Sequence, residues 1–171
     1  MAEKNEYEQV FENWLIENHL QYAPVDQQKR KLFARNKIKS FDFILYPAGS
    51  PPVMTEIKGR EFKGKSLAGM TSLECWVTRD DVKSLMQWEL ILDGDMKTAF
   101  VFVYKIMNVD VETDGADIFD FAGSRYFFYT VELDSYREFM KTRSPKWNTV
   151  TLPADRFRQL AVPAREYFLG E

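Results

Sequence analysis

Residues 37–46 (KIKSFDFILY) and 53–58 (VMTEIK), joined by 47–52 (PAGSPP), decide how this chain reads. The first run is β-rich and holds one acid, Asp42, among Phe41, Phe43, Ile44 and Leu45. The joining residues are dense in turn formers, and a second strand follows. Alternate residues of a strand share a face, so Met54, Glu56 and Lys58 point one way and Val53, Thr55 and Ile57 the other. A hairpin that sets Tyr46 near Val53 brings Asp42 beside Ile57, within about one pairing step of Glu56 and Lys58. Two carboxylates and an ammonium then converge beside apolar residues. Burying such charges is costly unless they pair or hold a metal.

Metal-assisted phosphodiester hydrolysis suits this set. Two carboxylates can hold Mg²⁺ or Mn²⁺ through oxygen, leaving exchangeable waters on the ion. A bound divalent ion lowers the pKa of water and stabilises charge on a phosphate, and a nearby lysine can orient the attacking water or screen the developing charge. A Glu-x-Lys triplet alone is common on exposed sheet faces. The preceding strand Asp gives the pattern its content.

The chain of 171 residues reads as one domain, 1–171, long enough for a substantial core. No apolar run approaches membrane-spanning length, and residues 1–20 are too charged for a signal peptide. Cys75 is the only cysteine, which rules out an internal disulfide and fits a cytoplasmic protein. With His19 the only histidine, a histidine-based zinc site or a serine–histidine triad would rest on that one residue. The net charge of −3 does not suit a general nucleic-acid coat protein, but the charge is unevenly placed. Lys29, Arg30, Lys31, Arg35, Lys37 and Lys39 come with no acid between Gln27 and Ser40. Lys58, Arg60, Lys63 and Lys65 follow, interrupted only by Glu61. Solvated loops carry such charges too, but around a carboxylate pair they form the basic rim a phosphate backbone needs. Asp110, Glu112, Asp114, Asp117 and Asp120 form an acidic stretch expected to face away from a polyanion.

Asn5 to His19 reads as a helix, with Tyr7, Val10, Phe11, Trp14 and Leu15 as its buried stripe. Asn5 and Glu8 have the spacing of an N-cap and its reciprocal partner. Residues 59–72 read as a mobile loop and 74–78 as a third strand. Thr78 caps a helix to about Ile91 with Asp80 and Asp81 in its first turn, and residues 93–95 break it. Residues 98–106 (TAFVFVYKI) form the clearest core strand and 125–131 another. Further elements are a helix over 134–141, an extended segment over 149–152 and a short helix over 154–160. The element order argues for an α/β fold.

Helix, strand with Asp42, strand with Glu56-Ile57-Lys58, helix and strand together resemble the core of the PD-(D/E)XK nuclease superfamily. The resemblance covers about residues 5–106 and leaves 107–171 as a C-terminal elaboration; Phe41 stands where the family name has proline. It implies a restriction-endonuclease-like core: a mixed central β-sheet flanked by helices. It also implies divalent-metal ligation by Asp42 and Glu56, assistance to the nucleophile by Lys58, and a further Glu from the first helix. The Ile57 carbonyl is an additional candidate ligand. Glu8 borders the buried stripe and is favoured as the helix carboxylate, with Glu12 second; Glu8 could equally serve only the cap. Gln87 holds the place of a polar residue that many members put near metal or DNA. Tyr7 to Glu12 (YEQVFE) also resembles the motif of the bacterial HYExAFE family, with Glu6 for its histidine and Val10 for its alanine.

The sequence thus points to a magnesium-dependent nuclease acting on nucleic acid, expected to be DNA, with Lys29, Arg30, Lys31, Arg35, Lys37, Arg60, Lys63 and Lys65 on the backbone. Tyr22 and Trp76 could stack on bases, but core packing or surface anchoring is the favoured role of each. Many superfamily members pair to cut two strands, so a homodimer is a further expectation, without membrane association. A non-cleaving nucleic-acid-binding module on the same fold and a protein-interaction scaffold are the competing readings.

Overall fold

The computed structural model describes residues 5–25, 35, 39–92 and 94–171. Lys29, Arg30, Lys31 and Lys37 lie outside the described residues, and Arg35 is exposed. Helix α1 (Glu6–Glu17) starts where the Asn5 side chain accepts from the Glu8 amide, and it buries Val10, Phe11, Trp14 and Leu15 as its periodicity requires. Strands β1 (Gln21–Pro24), β2 (Phe43–Tyr46) and β3 (Val53–Phe62) follow. After β3 come β4 (Val77–Thr78), α2 (Arg79–Ile91), β5 (Lys97–Ile106), β6 (Phe119–Phe121) and β7 (Ser124–Glu132). The chain ends with α3 (Leu133–Phe139), β8 (Lys141–Ser144), β9 (Thr149–Thr151), α4 (Ala154–Leu160), β10 (Val162–Pro163) and a π-helical turn, Arg165–Leu169.

The main sheet runs β1-β2-β3-β5-β7-β10, with β6 added to β7. Its β3–β5 pair is parallel and its other pairs are antiparallel, so the sheet is mixed. Parallel pairing needs a crossover, and α2 supplies it. β5 is apolar from Ala99 to Val103, followed by the buried Tyr104, because both its faces are covered there. Ala99, Val101 and Val103 lie with Phe11, Trp14 and Phe168, while Phe100, Phe102 and Tyr104 lie with Val82, Leu85, Trp88, Tyr136 and Phe157. A second sheet, β4-β9-β8, sits apart from this ladder.

Two expectations are corrected. Residues 59–62 are not loop, because β5 pairs with β3 over its full length, from Val53↔Lys97 to Phe62↔Ile106. Phe62 is fully buried, edge-on to Phe127 at 5.6 Å, which anchors the polar-looking end of the strand. Gly59 is needed there: a Cβ would stand 2.0 Å from the Tyr7 ring of α1. The strand expected over 74–78 is only Val77–Thr78. No described helix is long and apolar enough to cross a membrane.

Candidate active site

The β2–β3 hairpin closes one residue away from the expected register. Its pairs are Leu45↔Val53, Ile44↔Met54 and Phe43↔Thr55, so Asp42 comes level with the Thr55–Glu56 peptide, not with Ile57. A one-residue slip exchanges the faces of a strand, and this one favours the approach of Asp42 to Glu56. The Asp42 amide donates to Thr55 O at 3.0 Å. Beyond that point its carboxylate takes over from the ladder: Oδ2 accepts from the Ile57 amide at 2.7 Å. A strand residue's N–H and C=O point to the same side, so the Ile57 carbonyl opens on the same edge. Asp42 and Glu56 are both buried, at 5% and 8% exposure. Burial first, and the neighbouring charge of Asp42 second, push the Glu56 carboxyl well above the usual range despite Lys58.

Lys58 does not sit between the two acids. Its ammonium is 2.7 Å from Asp81 Oδ2 and 3.9 Å from Glu56 Oε1. Asp81 also receives the ammonium of Lys39. It belongs to a full capping box, in which Thr78 N donates to Asp81 Oδ2 and Asp81 N to Thr78 Oγ1, both at 3.0 Å. Burial opposes its charge, but the ammoniums of Lys58 and Lys39 prevail and hold its pKa at about 2. Lys39 is placed by its neighbours: Trp88 Nε1 donates to Lys39 O at 2.9 Å, and Trp88 meets Phe41 edge-on at 5.3 Å. Asp81 and Lys39 are thus part of the cluster. The T-x-x-D pattern announces the cap, but nothing local announces its link to Lys58.

The linkage is testable. Asp81 titrates below its ordinary 3.8, so its contribution to stability is complete above that value and is lost as pH falls through about 2. Asp81→Asn can still accept at the cap. It should cost about 2 kcal/mol near neutral pH, with the difference from wild type closing as the solution is acidified. Urea unfolding across pH checks this; a gap independent of pH would point to packing instead of charge.

The other expected residues are less central. Glu8 is buried and closes the cap with Asn5, whose Nδ2 donates to Glu8 Oε1 at 3.2 Å while Glu8 N donates to Asn5 Oδ1 at 2.9 Å. Its helix lies over the face of β3 that carries Ile57 and Gly59, opposite Glu56 and Lys58. Glu12 accepts from Tyr22 OH at 2.9 Å, a bond that places both on the β1 side. Gln87 is exposed on α2, with no hydrogen bond to the cluster among the described residues. Lys63 pairs with Glu61 at 3.5 Å, and Lys65 is exposed. The acidic stretch does not wholly avoid the basic one: Glu112 exchanges backbone bonds with Lys65 and Leu67. Arg60 lies against Trp76, 3.9 Å above its ring.

Among the described residues no group of three His, Cys, Asp or Glu side chains is arranged to hold a metal. Any ion here would rest on Asp42, Glu56, the Ile57 carbonyl and water. Those are all oxygen donors, as Mg²⁺ and Mn²⁺ favour, and a buried Glu56 carboxyl whose proton affinity is raised by burial and then by Asp42 suits a cation. A cleft of about 850 Å³ is lined by Gly59 and Arg60 further along β3, and neither acid lines it.

No family model and no curated protein matches the chain, so the HYExAFE resemblance of α1 rests on its own six residues. Among solved structures the chain is similar to Archaeoglobus fulgidus Hjc, a Holliday junction resolvase from an archaeal hyperthermophile. The TM-score is 0.50 and the identity 10%, over 95% of each chain. At that identity the likeness is one of fold: a mixed central sheet flanked by helices, of the restriction-endonuclease-like kind.

Proposed function

We propose that the protein is a divalent-metal-dependent nuclease that hydrolyses phosphodiester bonds of DNA. The observation that carries this reading is the meeting of Asp42, Glu56 and Lys58 at the edge of β3 where pairing to β2 ends. The restriction-endonuclease-like fold supports it. Asp42, Glu56 and the Ile57 carbonyl would hold the cation, which when bound would supply Lewis acidity to water and phosphate. Water attacks phosphorus, one P–O bond forms, the ester P–O bond breaks, and the leaving oxygen takes a proton. Lys58 orients the water or screens the added negative charge. Asp81 keeps its ammonium at hand, and Glu8 is the remaining candidate carboxylate.

A non-cleaving DNA-binding module is the second reading, favoured by the closer engagement of Lys58 with Asp81 than with Glu56. Incubation of single-stranded, duplex and branched DNA, then RNA, with the protein in Mg²⁺ or Mn²⁺ decides between them. Cleavage of at least one DNA substrate, absent in EDTA, is expected. Binding without cleavage in either metal would leave the module.

A further inference from the structure

The last third of the chain builds a basic hairpin that the proposed metal site does not use. From Phe139 to Ala154 there is no acidic residue, and Lys141, Arg143 and Lys146 are exposed on β8 and the turn that follows it. Trp147 stands at the tip, 68% exposed, with Lys146 Nζ 5.2 Å from its ring centre. On the strand behind, Arg143 reaches the 850 Å³ cleft and comes within 5.0 Å of the Trp76 ring that also carries Arg60 at 3.9 Å. Neither guanidinium has a carboxylate ion pair among the described residues. Two cations gathered on one aromatic ring, neither in a direct ion pair among the described residues with the Glu61 and Glu74 that also line the cleft, offer donors to an anion.

The hairpin is fixed relative to the metal site. β9 pairs with β4 through Val77↔Val150 and Thr78↔Thr149. Arg79 N donates to Asn148 O at 2.9 Å, and the Arg79 guanidinium donates to Thr142 Oγ1 at 2.5 Å. Thr78 in turn caps Asp81, which holds Lys58. Arg60 follows Lys58 on the same face of β3, about 6.6–6.8 Å further along.

Building on the nuclease reading, we infer that the β8–β9 hairpin is a second DNA-binding site, for nucleotides flanking the cleaved phosphate. Arg143, with Arg60 beside it, takes a backbone phosphate. Trp147 stacks on an unpaired base, a surface that an intact duplex keeps inside its own stack. The hairpin therefore selects DNA with single-stranded or branched character.

The test is binding of fluorescein-labelled oligonucleotides of one sequence, as single strand, blunt duplex and four-way branch, in EDTA so that cleavage does not intervene. Trp147→Ala should weaken single-strand binding about 10-fold or more and blunt-duplex binding far less, and Trp147→Phe should restore most of the loss. Arg143→Gln should weaken all three and lower the slope of log affinity against log salt by about one unit. Wild-type affinity in both variants, or equal losses by Trp147→Ala on duplex and single strand, overturns the hairpin site and leaves the nuclease reading standing. The expected losses in a protein that cuts nothing in Mg²⁺ or Mn²⁺ support the hairpin site and remove the nuclease. No binding of any oligonucleotide by the wild type overturns both.

Discussion

Asp42→Asn should abolish measurable Mn²⁺ binding and cleavage while making the metal-free protein more stable. The substitution removes one of two crowded charges but keeps an oxygen to accept from the Ile57 amide, which Asp42→Ala would leave unpaired at a cost of about 1–3 kcal/mol. Glu56 is the reporter. Its folded pKa is raised, first by burial and then by Asp42, so its ionisation disfavours the folded state. That penalty is absent below the ordinary carboxylate pKa and grows as pH rises through the folded one. Wild-type protein in EDTA should therefore lose stability across that window, and Asp42→Asn should lose less, by on the order of 1 kcal/mol. Thermal unfolding against pH, paired with calorimetric Mn²⁺ titration, reads both halves. A variant that still binds Mn²⁺ with wild-type affinity would place the ion elsewhere.

The neighbourhood of Asp42, Glu56 and Lys58 was legible because strand alternation and a turn between two β-rich runs are local signals. Register was not, since alternation leaves the conformation of residues 47–52 open, and closure at Leu45↔Val53 shifts every pair by one. Thr78 was readable as the cap of α2, but Asp81 read only as an acid of the first turn, and its reciprocal bonding to Thr78 came from the structure. Its service to Lys58 and Lys39 appears only when α2 crosses from β3 to β5. β1 and β8 were missed for different reasons. Gln21–Pro24 is short and ends in proline, and it is a strand because β2 lies beside it. Lys141–Ser144 is wholly polar and is ordered by its pairing to β9 across a register shift. Residues 59–62 read as loop because a glycine and two charges mask the anchoring Phe62.

Lys58→Ala should lower turnover by about 10²-fold or more, the loss expected of one preorganised electrostatic group acting in the transition state. Affinity for DNA in Ca²⁺, a metal that often supports binding without cleavage, should change much less. The two readings of the protein part here. If Lys58 were one phosphate contact among many, its loss would weaken binding modestly and reduce the salt slope by about one unit, with no separate effect on the rate. Both quantities should be measured on one substrate. A salt-slope change without a turnover loss would assign Lys58 to binding alone.

The bridge that Asp81 makes between Lys39 and Lys58 also sets an order of events. With Asp42 and Glu56 ionised, three carboxylates face two ammoniums, so the cluster carries a net negative charge and repels a polyanion. Entry of a doubly charged cation reverses the sign of the whole cluster without moving a residue. On the nuclease reading, cation and DNA would then be coupled ligands, each raising the affinity for the other by the same factor. On that reading the cluster is an electrostatic gate that keeps the scissile phosphate out until the ion has arrived, while the β8–β9 hairpin can hold flanking nucleotides without it.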